Sequence, residues 1–180
     1  MSDELIDIYS KNNYSLGIKK MKSAAHKKGL WHRSAHIWIY TSCGEILLQL
    51  RASNKKMYPT RWDISAAGHV VAGEEPISAA IRELKEEIGL DVAQEDLEFF
   101  EIRKIQATYR NIINNEFVYV YFLKFDGDVE ELTLQEDEVS EIQFISIDKV
   151  KEDLKTSPNK YVPHGEYWFD VIKKVKENIK

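Results

Sequence analysis

Three glutamates lie close together near the middle of the chain, in the segment "RELKEE" of residues 82–87. Glu83, Glu86 and Glu87 have the spacing i, i+3 and i+4, so a helix would place all three carboxylates on one face. Carboxylates at this spacing repel one another by about 0.2–0.5 kcal/mol per pair. A divalent cation such as Mg²⁺ prefers oxygen ligands and would turn that repulsion into attraction. The segment predicts a metal site, with a solvated acidic helix face as the alternative.

The residues around these glutamates predict the helix that must position them. Pro76 suits the first turn of a helix, and Gly89 suits the position just past a helix end. Between the two, apolar residues recur at helical spacing and form a stripe that would face a core. The stripe consists of Ile77, Ala80, Ile81, Leu84 and Ile88.

The remaining elements predict a mixed sheet with helices packed on it, which is an α/β (α+β) fold. Aromatic and β-branched residues predict strands, and apolar residues at helical spacing predict two further helices. Their irregular order argues against a regular array of parallel strands with crossover helices. The predicted elements are a hairpin at 35–52, strands at 97–109, 116–127 and 141–147, and helices at 146–155 and 166–180. We expect one domain over residues 1–180, with an N-terminal extension over about 1–30 and a C-terminal helix over about 166–179.

Composition excludes several classes of partner. The chain has 180 residues, 43% of them hydrophobic and 31% charged, with a formal net charge of −5. This charge argues against binding to a nucleic acid polymer or to a membrane surface, because either would favour a basic patch. No apolar run reaches the ~18 residues of a membrane span, and the start shows no signal-peptide pattern. Cys43 is the single cysteine, so we expect a reducing, cytoplasmic location.

The glutamate segment resembles the Nudix box at every defined position. Gly68 and Glu74 are followed by Arg82-Glu83-Leu84, then Glu86-Glu87 and Gly89-Leu90, at the spacing of that motif. The flanking strands resemble the Nudix fold over about residues 30–155, so the resemblance implies a mixed sheet sandwiched between helices. It also implies hydrolysis of a nucleoside diphosphate linked to another moiety, or of a similar organic diphosphate, with Mg²⁺ or Mn²⁺.

The Nudix resemblance also implies roles for individual residues. Glu83, Glu86 and Glu87 would coordinate the metal, together with the carbonyl of Gly68, and Arg82 would orient a glutamate of the box. Glu74 would lie next to these ligands without binding the metal itself. The general base stays open, because its position varies in the family. The candidates are Glu83, Glu116 at the start of a predicted strand, and the acidic loop of Glu136, Asp137 and Glu138.

A second resemblance is to the type 1 isopentenyl-diphosphate isomerases, which share the Nudix fold. Residues 23–40 and 47–74 follow their layout, and His26, His32 and His69 match histidines that hold a metal there. Glu116 matches a metal-binding glutamate, whereas Asn114 stands at the position of a second one. The catalytic cysteine of the isomerases is matched by Ala67, and that change favours hydrolysis. The alternative for the histidines is that they are ordinary hydrogen-bonded loop residues.

The substrate is only weakly encoded in the sequence. By resemblance to the isomerases, Arg51, Lys55 and Lys56 would contact the diphosphate, with a solvated basic loop as the alternative. The segment 161–170, "YVPHGEYWFD", could cover the cleft or form the contact of a homodimer. Three classes of function stay open: a metal-dependent diphosphate hydrolase, an isomerase, and a noncatalytic domain that senses a diphosphate ligand.

Overall fold

The computed structural model describes residues 3–180, so the first two residues of the expected N-terminal extension lie outside the described part. The strands are β1 (Leu5–Tyr9), β2 (Ser15–Met21), β3 (Trp31–Tyr40), β4 (Glu45–Arg51), β5 (Trp62–Asp63), β6 (Ala66–His69), β7 (Leu97–Tyr109), β8 (Ile112–Lys124) and β9 (Val139–Ser146). The helices are α1 (Lys22–Lys28), α2 (Pro76–Ile88), α3 (Ile147–Thr156) and α4 (Tyr167–Asn178).

Strand β3 is the centre of the sheet. It runs parallel to β8 along its whole length, from the pair Trp31–Asn115 to the pair Tyr40–Lys124. Its other edge pairs antiparallel with the short strand β6. Strand β7 pairs antiparallel with β8, β4 pairs antiparallel with β5 and β9, and the β1–β2 hairpin joins the sheet through β1. Parallel and antiparallel pairs occur in one sheet, which confirms the predicted mixed topology.

Two hydrophobic cores lie on opposite faces of this sheet, because side chains alternate along β3. Trp38 and Tyr40 belong to the core that α3 and α4 cover, whereas Ile37 and Ile39 belong to the core that α2 covers. Burying a large apolar side chain contributes about 1.5–3 kcal/mol, so both faces stabilise the fold. The sheet is therefore sandwiched between helices, as expected.

Helix α2 begins at Pro76 and ends at Ile88, where the sequence predicts its ends. Gly89 has φ 71°, and its backbone N–H caps the helix on the carbonyls of Leu84 and Lys85. This left-handed conformation costs a glycine little. The predicted stripe packs into the core beneath the sheet, and this packing fixes the position of the glutamates on the same helix.

The N-terminal extension contains elements that the sequence analysis does not predict. The hairpin of β1 and β2 lies at the sheet edge, and every residue of β2 is exposed, so no alternating pattern marks it. Helix α1 has only seven residues, too few for a clear periodic signal. None of the helices within residues 3–180 is long and apolar enough to cross a membrane.

Candidate active site

A cleft of about 590 Å³ opens between the β3–β6 region, helix α2, the β7–β8 hairpin and the segment 162–167. The sequence-predicted residues that line it are His26, Arg51, Lys55, Gly68, His69, Glu83, Glu86, Glu87, Asn114, Glu116 and Glu138. Arg82 lies behind this lining, and His32 is fully buried beneath it. Lys56 is exposed and is not part of the lining. The structure thus gathers most of the predicted site residues in or directly against one cleft, whereas Glu136 and Asp137 of the acidic loop, like Lys56, do not line it.

Two of the three glutamates on α2 are buried. Glu83 is 7% exposed and Glu87 is 5% exposed, whereas Glu86 lies at the surface. Burial, and next the charge of Glu83, raise the pKa of Glu87 to about 8. Burial also raises the pKa of Glu83 to about 7, although the charge of Arg82 opposes this shift. Buried carboxylates that resist ionisation fit a divalent cation, since its charge would restore the ionised form.

Helix α2 and the adjacent strands hold Glu87 in one orientation. The backbone N–H of Ala67 donates to Glu87 Oε2 at 3.0 Å, and Gln49 Nε2 donates to the same oxygen at 3.3 Å. Both donors favour the ionised carboxylate. Oε1 of Glu87 has no such partner among the described residues and is therefore the oxygen left for a ligand.

The guanidinium of Arg82 holds the glutamates in place through hydrogen bonds. Its Nε donates to Glu74 Oε1 and its Nη2 to Glu74 Oε2, both at 3.0 Å, which is the two-pronged geometry that only arginine provides. Its Nη1 donates to Glu83 Oε1 at 2.5 Å and to Glu86 Oε2 at 3.2 Å. One guanidinium therefore orients two of the three candidate ligands and leaves each a second oxygen.

Gly68 lies on β6 directly against Glu83. A Cβ built at Gly68 would overlap the carboxyl group of Glu83. Only glycine fits at this position while Glu83 keeps its place. Glycine is therefore needed at position 68 for a steric reason, whether or not its carbonyl binds a metal.

The three predicted histidines converge on one point. Their candidate ligand atoms all lie within 4.8 Å of one another, and the Nε2 atoms of His26, His32 and His69 are buried without a hydrogen-bond partner among the described residues. His32 donates from Nδ1 to the carbonyl of Leu30 at 2.9 Å, which leaves a lone pair on its Nε2. Burial lowers the pKa of His26 to about 4 and that of His69 well below its ordinary value. Neutral imidazoles with unpartnered nitrogens fit a transition-metal ion.

Glu116 completes this cluster. Its Oε1 lies 3.6 Å from Nε2 of His32 and 3.6 Å from Nε2 of His69. Asn114 Nδ2 donates to the other oxygen, Oε2, at 2.7 Å. Burial would raise the pKa of Glu116, but His32, with His69 and His36 nearby, holds it below its ordinary value. The carboxylate is therefore an anion aimed at the histidines.

Basic side chains lie at the mouth of the cleft. Arg51 donates from Nη1 to Asp63 Oδ2 at 2.9 Å and from Nε to the carbonyl of Met57 at 3.0 Å. Lys55 forms an ion pair with Glu138, from the acidic loop before β9. Both cations are thus held in place where a diphosphate could reach them, and Glu138 lies at the same point.

Several polar residues that the sequence does not single out also line the cleft. These residues are Ser34, His36, Asp63 and Arg103, which lie beside His164 and Tyr167 of the predicted covering segment. His164 Nε2 lies 2.7 Å from Asp63 Oδ1. The alternation along β3 is the one sequence signal for part of this group, because it places Ser34 and His36 on the same face of the sheet as His32.

Comparison with known proteins gives the family. The NUDIX domain model matches residues 30–165. Nudix hydrolase 3 of Arabidopsis thaliana is 34% identical over 96% of this chain, which spans only 24% of that protein's length. An uncharacterized Nudix hydrolase of Clostridium acetobutylicum is 33% identical over 83% of this chain and 73% of its own. Isopentenyl-diphosphate Delta-isomerase 2 of Photorhabdus laumondii is 30% identical over 94% of this chain and 90% of its own.

A solved structure shares the fold. The protein DR0079 from Deinococcus radiodurans superposes with a TM-score of 0.71 over 96% of this chain and 99% of its own, at 17% identity. The matched domain, the relatives and the fold agree with one another, and both resemblances found in the sequence, to Nudix hydrolases and to the isomerases, are confirmed. The chain belongs to the NUDIX domain family.

Proposed function

We propose that this chain is a divalent-metal-dependent hydrolase that cleaves a diphosphate linkage in a nucleoside diphosphate linked to another group, or in a related organic diphosphate. One observation carries the proposal. Glu83 and Glu87 are buried side by side with raised pKa values, and Arg82 holds the first of them in place. An arrangement that costs stability without a cation is best explained by a cation that binds there.

The chain offers two sets of metal ligands. Glu83, Glu86 and Glu87, with the carbonyl of Gly68, would hold Mg²⁺, with Mn²⁺ as the alternative. The cluster of His26, His32, His69 and Glu116 would hold a second ion, and its imidazoles suit a transition metal. A bound metal ion supplies charge neutralisation for the diphosphate and a more acidic water.

The residues of the chain would then bind the substrate and move one proton. Arg51 and Lys55 bind the diphosphate, since both line the cleft in fixed orientations. Lys56 is exposed beside them and stays a weaker candidate. A carboxylate takes the proton of the attacking water, and Glu83, Glu116 and Glu138 are the candidates because all three are buried and line the cleft. We propose that residues 1–180 act as one domain, since both the extension and the segment 162–167 line this cleft.

A screen of metal-dependent product release tests the proposal. Purified protein would be assayed with Mg²⁺ or Mn²⁺ against nucleoside diphosphate conjugates and prenyl diphosphates, with EDTA as the control. We expect metal-dependent cleavage of at least one diphosphate. No cleavage of any substrate with either metal would contradict the proposal.

An isomerase is the second candidate function. It is favoured by the convergence of the three histidines and Glu116. It is opposed by Ala67, which lines the cleft with a methyl group where the reaction would need a proton donor. The hydrolase proposal also accounts for the buried Glu83 and Glu87 and for the hydrogen bonds of Arg82, so hydrolysis explains more of the site.

A further inference from the structure

Strand β3 places two polar side chains inside the cleft that the proposed hydrolysis does not use. Ser34 and His36 follow His32 at intervals of two residues, so all three project from the same face of the sheet. Opposite them on β6 lie His69, which pairs with Ser34, and Ala67, which pairs with His36. Ser34 and His36 therefore extend the site from the histidine cluster toward the interior of the cleft.

The side-chain hydroxyl of Ser34 has no hydrogen-bond partner in the described part of the chain, although the residue is only 3% exposed. Its Oγ is buried without a partner among residues 3–180, and the residue lines the cleft. The other buried serine of this region, Ser65, is fully paired: its Oγ donates to the carbonyl of Leu47 and accepts from the backbone N–H of Ile39. A buried hydroxyl with no partner costs stability, so Ser34 has no structural reason to be a serine.

His36 is 8% exposed, and its neighbours fix which ring nitrogen carries the proton. Trp38 Nε1 donates to Tyr167 Oη at 2.8 Å, and Tyr167 Oη lies 3.3 Å from His36 Nδ1. Burial lowers the pKa of His36 to about 4, so its ring is neutral near pH 7. The buried tyrosine hydroxyl accepts from Trp38 and has no acceptor for its own proton among the described residues other than His36 Nδ1. It is therefore assigned as the donor to Nδ1, which leaves the proton of His36 on Nε2. His36 therefore offers an N–H donor that no other described residue uses.

The wall facing His36 is polar as well. The ring of His164 lies 6.3 Å from the ring of His36, centroid to centroid. Its Nε2 is paired with Asp63, whose second oxygen accepts from Arg51. A hydrocarbon chain that lies along these two rings would contact hydrogen-bonding groups rather than apolar side chains.

We propose that Ser34 and His36 bind the organic part of the substrate and select a hydrogen-bonding group, the sugar or base of a nucleoside, over a prenyl chain. This inference rests on the proposed function, since it assumes a diphosphate at the glutamates. A nucleoside can pair with the Ser34 hydroxyl and the His36 N–H. An alkyl chain would leave both groups buried and unpaired, and sites of this kind reject such ligands strongly.

Binding of analogues that cannot be hydrolysed tests the selection. The probes are methylenediphosphonate, the α,β-methylene analogues of the common nucleoside diphosphates, and the methylene analogue of isopentenyl diphosphate. Affinities would be measured by titration calorimetry with Mg²⁺. We expect at least one nucleoside analogue to bind at least about tenfold more tightly than the prenyl analogue. Equal or tighter binding of the prenyl analogue, or no binding of any nucleoside analogue, would overturn the proposal.

Two matched serine variants separate ligand contact from folding. Ser34→Ala removes an unpartnered hydroxyl, so the melting temperature should not fall, whereas binding of the preferred nucleoside analogue should weaken at least about fivefold. Binding of methylenediphosphonate should stay within about twofold. Ser65→Ala should lower the melting temperature and leave the selectivity unchanged. Equal weakening of every probe by Ser34→Ala, or no weakening, would contradict the proposed contact.

A substitution of His36 tests the role of the histidine. Its effect is measured as binding of the analogues, so no turnover is needed. His36→Phe keeps a ring but removes the N–H donor, and we expect it to shift the preference toward the prenyl analogue by at least about tenfold. An unchanged preference in this variant would overturn the role of His36. Since binding is measured without hydrolysis, an inactive protein that still selects nucleosides would refute the proposed function alone.

Discussion

The carboxyl group of Glu83 occupies the space that a side chain at position 68 would need. Glu83 cannot simply move away, because it is buried and its Oε1 accepts from Arg82. The contact between Gly68 and Glu83 is thus one of the points at which strand β6 and helix α2 meet, beside the hydrogen bond from Ala67 to Glu87. The same contact makes the geometry of the site sensitive to a single methyl group.

Gly68→Ala should therefore displace Glu83 and damage the site more than the fold. We expect the apparent affinity for Mg²⁺ and the value of kcat each to fall at least about tenfold, as is typical when a ligand loses its support. Activity measured against Mg²⁺ concentration, with the melting temperature recorded in parallel, checks this. Wild-type activity in a folded Gly68→Ala variant would show that Glu83 is not held as described.

Folding should not require the metal, because α2 packs through its own apolar stripe. Mg²⁺ should nevertheless raise the melting temperature, since it binds the folded site and relieves the repulsion among the glutamates. EDTA should stop turnover and leave the circular dichroism spectrum unchanged. If EDTA unfolded the protein, the metal would have a structural role and the description of α2 as self-sufficient would be wrong.

Stability should fall in mild acid, in part because of His36. Burial lowers its folded pKa to about 4, below its ordinary value of 6.5, so the unfolded chain binds the proton more tightly. Its contribution is complete above about pH 6.5 and is lost as the pH falls toward 4. Thermal melts of the EDTA-treated protein at pH 7 and pH 4.5 would show this loss. His36→Gln should shrink the difference between the two melting temperatures, and an unchanged difference would mean that His36 is not buried and neutral.

The protein should not interconvert isopentenyl and dimethylallyl diphosphate. Ala67 has no ionisable atom, and Asn114 uses its amide to hold Glu116 instead of offering a carboxylate. Ala67→Cys alone should stay inactive as an isomerase, because the two positions act together. Proton NMR in deuterated water, following deuterium incorporation into the prenyl diphosphate, checks both proteins. Metal-dependent exchange by the unmodified chain would replace hydrolysis by isomerisation as the function.

Helix α2 shows what the sequence could predict. Its ends at Pro76 and Ile88, its apolar stripe and its three glutamates all follow from local spacing, because capping and packing preferences act within a few residues. Local sequence patterns likewise predict strands β7 and β9 to within two residues of their ends. Local patterns of this kind predict most of the helices and strands of the fold.

Contacts between distant segments could not be predicted from spacing. The pair of His36 and Tyr167 joins residues 131 positions apart, and the pair of Asp63 and His164 joins residues 101 positions apart. Burial, which raises the pKa of Glu87 and leaves Ser34 without a partner, is likewise a property of the assembled fold. The sequence therefore predicts the glutamates of the cleft but not the polar side chains of Ser34 and His36 that line it as well.

The central claim is that the glutamates of α2 hold the catalytic metal, and conservative substitution tests it most directly. Glu86→Gln and Glu87→Gln keep the shape of the side chain but remove the charge of a ligand. Glu75→Gln is the matched control, because Glu75 is exposed in the same segment. We expect kcat on the best diphosphate substrate to fall at least about 100-fold in both test variants, with unchanged circular dichroism, and to stay within about twofold in the control. Near-wild-type kcat in both Glu86→Gln and Glu87→Gln would contradict the claim.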